Sequence, residues 1–188
     1  MDRGSVFSAK DFLDLASRTS IDVLLSKLTK SGAIRRISRG LYDLPKFNND
    51  LEGELSPDAH EAAQAVARRQ RWKIVPEGAW AANVLGLSTQ VPSKITYLTD
   101  GPKHDITVGR RTISFKHARP KTLTGSGERF SLVVQALRYL GKQGVGPQEI
   151  EHLRTKLTVT EKRRLLKDTR FGTEWIYDVA KRVAEGIS

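Results

Sequence analysis

The chain contains no cysteine and a single methionine among its 188 residues. Without a thiol there can be no disulfide framework, no thiolate metal ligand and no cysteine nucleophile, which fits a reducing compartment. Acidic residues are outnumbered, 21 Asp+Glu against 32 Lys+Arg. Long apolar runs are also missing. The longest weakly polar stretch, Ala79 to Leu87, is interrupted by Asn83 and Gly86 and falls far short of the roughly 18 to 20 apolar residues that span a bilayer. Met1 to Ser5 offer no apolar segment after a basic one, so no secretory leader is expected and the cytoplasm is the expected location.

What is present is an ordinary globular composition, 38% hydrophobic and 28% charged, long enough for one domain or two small modules sharing a core. The net charge of +11 makes a polyanion a natural neighbour, because each cation set against a phosphate releases condensed counterions. The excess is local. Residues 44–100 carry 6 basic and 7 acidic groups, whereas 101–121 carry 6 and 1. Two runs have no acid at all: Lys27 to Arg39, and Arg110 to Lys121 with Arg110, Arg111, Lys116, Arg119 and Lys121. A third basic run, Lys162-Arg163-Arg164-Lys167, lies on an expected helix and is most simply a solvated face.

The N-terminal segment gives the first of these runs a context. Ser8-x-x-Asp11 has the form of a helix cap, and Phe12, Leu13 and Ala16 would line the apolar side of that helix. A second helix is expected from about Ile21 to Lys30, with Ile21, Leu24, Leu25 and Leu28 inward and Gly32 ending it. Two short helices joined by a few residues describe a helix-turn-helix, but also any helical hairpin. The adjoining segment separates them: Ala33 to Ile37 and Leu41 to Pro45 read as strands around Ser38-Arg39-Gly40, a basic hairpin directly after the second helix. That order is a winged helix-turn-helix. Ser20, Asp22, Val23, Ser26, Lys27 and Lys30 would face the major groove, and Arg35, Arg36 and Arg39 would reach phosphates or the adjacent minor groove.

The run Ile34-Arg35-Arg36-Ile37-x-Arg39-Gly40-Leu41-Tyr42 resembles the N-terminal domain of the AbiEi-type antitoxins, with Arg39-Gly40-Leu41-Tyr42 its most telling part. Pro76-Glu77-Gly78-Ala79 through Leu87, and Val91 through Gly101, resemble that family's second domain, so the likeness covers about residues 6 to 140. The resemblance implies a DNA-binding regulator that represses its own promoter and counteracts a nucleotidyltransferase-like toxin, with a homodimer compatible. In the family a further helix usually precedes the strand placed at Val6-Phe7; here it is expected to be absent or lent by a partner chain.

The rest of the chain reads as α+β. Asn48 to Glu54 is polar and acidic and is expected to link a domain at 1–46 to one at 56–188. Ser56-Pro57-Asp58 starts a helix through Ala59, Ala62, Ala63, Val66 and Ala67. Strands are expected at Lys73 to Val75, Ile95 to Leu98, Asp105 to Val108 and Thr112 to His117, with a helix from Gly78 to Leu85. In the last strand Ile113 and Phe115 would point inward and Ser114 and Lys116 outward. Further helices are expected at Glu128 to Leu140, Pro147 to Leu157, Thr160 to Asp168 and Thr173 to Glu185, either packing on the central sheet or presenting a groove.

Nothing assembles a catalytic motif. His60-Glu61-Ala62-Ala63-Gln64 has glutamine where a zinc protease helix needs its second histidine, and Thr124-Gly125-Ser126-Gly127 lacks phosphate-loop spacing. Asp100, His104 and Asp105 are the best material for a nuclease-like centre. The expectation is a non-enzymatic protein with no cofactor or metal. The rival to a DNA-binding regulator is a non-enzymatic protein-binding module whose basic surface meets an acidic partner or RNA.

Overall fold

The computed structural model describes residues 1–50, 52–119, 123, 128–170 and 172–186. Lys121, Leu51 within the expected linker, and the Thr124 to Gly127 loop lie outside them.

The first sheet forms from three short strands, β1 (Val6–Phe7), β2 (Arg35–Ser38) and β3 (Leu41–Asp43), in the order β1-β3-β2 and antiparallel throughout. Between β1 and β2 runs helix α1 (Arg18–Lys30), capped by Ser17, whose side chain accepts from the Ser20 amide. Gly32 at φ +74° ends it, a left-handed conformation that glycine adopts without a Cβ penalty.

The expected first helix is shorter than its sequence indicates. Ser8 and Asp11 do form a capping box, with the Ser8 amide and hydroxyl donating to the Asp11 carboxylate at 2.7 and 2.9 Å. The cap opens only a single 3₁₀ turn, Ala9–Phe12. Phe12 packs edge-on against Phe7, whereas Leu13 and Ala16 remain exposed. On α1, Ile21 and Leu25 are buried and Leu28 partly so, but Leu24 is 55% exposed. The sheet meets α1 along a stripe one residue narrower than the apolar spacing predicts.

Alternation along a strand sends neighbouring side chains to opposite faces. Phe7 and Tyr42, opposite each other across β1 and β3, pack with Ile21, Leu25 and Ile34 under α1. Val6 and Leu41 face the other way, onto helix α2 (Ala59–Gln70). The same helix buries Ala62, Ala63 and Val66 against a second sheet, with Ile95, Tyr97, Ile113 and Phe115 in one continuous core. α2 is thus sandwiched between two sheets, and the boundary expected near residues 46–56 is a break in the chain path but not in the packing. The face of the three-stranded sheet opposite α1 is covered by this helix of the same chain.

The N-cap of α2 is Asp58, whose carboxylate accepts from the His60 and Glu61 amides at 2.8 and 2.9 Å; Ser56 and Pro57 precede the cap. The segment read as a plain linker contains a small hairpin, β4 (Phe47–Asn48) with β5 (Gly53–Glu54).

The second sheet has the order β6-β7-β9-β8, built from β6 (Ile74–Pro76), β7 (Lys94–Thr99), β8 (His104–Val108) and β9 (Arg111–His117), with helix α3 (Gly78–Val84) between β6 and β7. β7 and β9 run parallel and the other pairs antiparallel. The expected tight turn at Gly109-Arg110 is present, with Gly109 at φ +59°. The chain continues through α4 (Glu128–Leu140), α5 (Pro147–Lys156), α6 (Val159–Thr169) and α7 (Glu174–Ala184). The apolar stripes of these helices do not cover the sheet, although α4 lies against β6. They close with α3 into a core of their own, including Leu132, Leu137, Leu153, Leu165, Ile176 and Val183. The fold class is α+β, as expected.

Candidate nucleic-acid interface

α1 presents a polar and basic face that also carries the exposed apolar Val23, with Leu24 beside it. Ser20, Asp22, Val23, Ser26, Lys27 and Lys30 are all exposed, because the helix turns its opposite side, Ile21 and Leu25, to the sheet. Among the described residues no carboxylate pairs with Lys27 or Lys30. Asp22 forms an i, i+4 pair with Arg18 at 2.8 Å, so the helix face carries its acid largely neutralised by a neighbour.

The hairpin β2–β3 stands next to this helix. Its turn passes through Arg39 and Gly40, the latter at φ +69°, and Arg36 and Arg39 are both exposed. Their neighbour Arg35 behaves differently. Adjacent positions on a strand cannot share a face, and Arg35 turns to the side away from α1. There its Nε donates to Asp43 Oδ1 at 3.0 Å, its Nη1 to Glu54 Oε2 at 3.1 Å, and its Nη2 to the Leu55 carbonyl at 2.9 Å. The Asp43 hydrogen bond and charge hold the Arg35 pKa above its ordinary value. Arg35 therefore ties the wing to the β4–β5 hairpin. Arg36 and Arg39 are left as the cations of the wing that no carboxylate among the described residues pairs.

Between the 3₁₀ turn, α1, the wing and the end of α2 lies a cleft lined by Lys10, Arg18, Asp22, Arg36, Arg39 and Arg69, among others. Lys10, Arg18 and Arg69 were invisible as site residues in the sequence. Lys10 and Arg18 sit in stretches of mixed charge, and Arg69 lies 30 positions beyond the wing, on a helix whose alanine pattern speaks only of burial.

The second basic group is dispersed. Arg110 and Arg111 are exposed around the β8–β9 turn and Arg119 is exposed after β9, but Lys116 donates to Glu77 at 2.8 Å. Ser114, expected beside Lys116 on an outward face, is buried.

The residues weighed for catalysis are not brought together. Asp100 accepts from the Lys73 amide at 2.8 Å, the His104 ring packs against Trp72 and Phe115, and Asp105, next along β8, is exposed on the other face. His60 Nδ1 lies 2.8 Å from the Tyr97 hydroxyl, His117 Nδ1 lies 3.0 Å from the Gly101 carbonyl, and His152 Nε2 lies 2.8 Å from the Leu85 carbonyl. Among the described residues no three His, Asp or Glu side chains converge as a metal site would require, and no helix is long and apolar enough to cross a membrane.

No curated protein matches the chain. Among solved structures it is similar to the RV2827C protein from Mycobacterium tuberculosis, known from a crystal structure, at 16% identity over 96% of this chain and 71% of that one, with a TM-score of 0.40. A family model matches residues 1–165, from before β1 into α6, and the chain accordingly belongs to the DUF6088 family, a family of unknown function.

Proposed function

We propose that the protein is a sequence-specific, double-stranded DNA-binding regulator acting through the α1 face and the wing. The observation that supports this most directly is the pairing of an exposed helix face of short polar residues and lysines with a hairpin that offers Arg36 on its strand and Arg39 at its tip. An α-helix fits the major groove, where Ser20, Ser26 and Val23 are suited to base edges and a thymine methyl. Lys27, Lys30, Arg36 and Arg39 supply the phosphate contacts that set register and affinity.

The resemblance of Arg39-Gly40-Leu41-Tyr42 and its surroundings to the AbiEi-type antitoxins extends the proposal: the regulated promoter is the protein's own, and the remainder of the chain counteracts a nucleotidyltransferase-like toxin. Neither role calls for catalysis by this chain, and the proposal assigns it none.

A protein-binding role is the second reading, favoured by one feature. Leu24 and Val23 lie side by side on α1 at 55% and 51% exposure, and a leucine there has no obvious use against a phosphate backbone.

The deciding experiment titrates the purified protein against duplex from just upstream of its own gene and against a shuffled duplex of equal length, at about 0.05 and 0.2 M salt, a range over which multi-phosphate contacts lose orders of magnitude. Preference for the native duplex that persists at the higher salt is the expected result. Equal, salt-fragile binding to both would sink the proposal and move the weight to a protein partner.

A further inference from the structure

The cleft behind the wing holds five cationic side chains, Lys10, Arg18, Arg36, Arg39 and Arg69, and a single carboxylate, Asp22, already paired with Arg18. Among the described residues no carboxylate pairs with the other four. Like charges gathered this closely repel one another unless an anion joins them, and a concave wall strengthens the field at its mouth.

How Arg69 reaches the cleft is specific. It sits in the last turn of α2, immediately before the helix ends at Arg71 in a left-handed C-cap. Its Nη1 donates to the Arg39 carbonyl at 2.8 Å, and a Cβ on Gly40 would stand 3.1 Å from that same nitrogen. Glycine at the wing tip therefore leaves room for the guanidinium. Lys10 Nζ in turn donates to the Arg69 carbonyl at 2.9 Å, placing a cation at the negative end of the helix. Both contacts are to backbone carbonyls, which hold the side chains in place without cancelling their charge. Burial alone lowers the Arg69 pKa from its ordinary value. A guanidinium has five N–H donors in a planar fork; one is spent on Arg39, and among the described residues no carboxylate takes the others.

We infer that Arg69 and Lys10, together with Arg36 and Arg39, form a phosphate site at the mouth of this cleft that takes one backbone phosphate of the bound duplex. The site rests on the DNA-binding function proposed above and deepens it, since its key guanidinium comes from outside the winged-helix segment. The duplex is held by the wing and by α2 at once, so the helix that fills the core between the two sheets also meets the ligand.

The test compares salt dependence in the full chain for wild type, Arg69→Gln, Arg69→Lys and Lys10→Gln, using the native upstream duplex between about 0.05 and 0.2 M salt. Each lost phosphate contact makes the slope of log K against log salt shallower by about 0.9. Because four cations share that phosphate, Arg69→Gln and Lys10→Gln are each expected to make the slope shallower by part of that amount, with affinity at the lower salt reduced several-fold, and Arg69→Lys to keep most of the wild-type slope. A purely structural Arg69 would lower affinity alike in the Gln and Lys variants and leave both slopes at the wild-type value, which overturns the site. Lys10 is exposed, and its variant keeps the test decisive if Arg69→Gln folds poorly. If wild type prefers the native duplex and no variant changes the slope, the site is wrong and the DNA-binding function stands. If wild type binds neither duplex, both fall.

Discussion

Arg35 and Asp43 face each other across β2 and β3, the carboxylate 1% exposed and the guanidinium 29% exposed, with Nε donating to Oδ1 at 3.0 Å. A carboxylate so thoroughly removed from water is tolerable only while its partner stays. Arg35→Ala should therefore destabilise the fold by about 2 to 4 kcal/mol, measured by urea denaturation. Arg36→Ala, one residue along and on the other face, should change stability by less than about 0.5 kcal/mol. Equal stabilities for the two variants would show that the Arg35 network does not hold the wing.

The proposed groove face predicts a contrasting pattern in binding. Lys27→Ala, Lys30→Ala and Arg39→Ala should leave the melting temperature near wild type. Each that meets a phosphate should make the salt dependence shallower by about 0.9 in log–log slope. If all three bind the native duplex as wild type does, α1 and the wing are not the DNA-binding surface.

Gly40→Ala combines a backbone and a steric penalty. A positive φ costs an L-residue roughly 1 to 2 kcal/mol, and the new methyl would press on the Arg69 guanidinium. A loss of stability of about that size is expected, accompanied by weaker duplex binding. Unchanged binding in a destabilised variant would mean that the wing tip does not take part.

Two indole rings report on the second sheet. Trp80 Nε1 donates to the buried Tyr97 hydroxyl at 2.8 Å, and Tyr97→Phe removes that acceptor at a cost of about 1 to 3 kcal/mol. Gly101→Ala would drive a methyl into the Trp72 indole, and overpacking of that kind costs about 1 to 3 kcal/mol. Tryptophan fluorescence together with urea denaturation should register both changes, and wild-type behaviour of Gly101→Ala would show that the ring has room to move.

Toxin counteraction is best tested with point variants. Val6 and Leu41 share a core with α2, so deleting residues 1–45 would damage the rest of the chain. Co-expression of a neighbouring nucleotidyltransferase gene with the Lys27→Ala, Arg39→Ala double variant should preserve protection while promoter repression is lost. Loss of both would tie the two roles to one surface.

Elements with strong periodicity or clear end signals were legible from the residues. The strands around Gly109, the α1 stop at Gly32 and the four C-terminal helices fall within a residue or two of expectation, because turn glycines and apolar spacing act locally. What escaped was decided by distant neighbours. Leu24 belongs to the apolar spacing of α1, yet the small sheet behind the helix is too narrow to cover it. The capping box at Ser8 and Asp11 announces a helix but does not set its length. Arg35 looked like any other arginine of a basic run; only the facing Asp43 and the hairpin carrying Glu54 commit it to an ion-pair network. Lys10 and Arg69, separated by 59 positions, become neighbours only because α2 docks across β1 and β3.

That docking also limits how the molecule can be taken apart. A chimera carrying residues 1–46 on a foreign scaffold would bare Val6 and Leu41 to water, and one carrying the remainder would bare the alanine face of α2. The N-terminal segment is not a transferable module. Whatever shifts α2, from either side, is felt at the wing through the hydrogen bond between Arg69 and the Arg39 carbonyl.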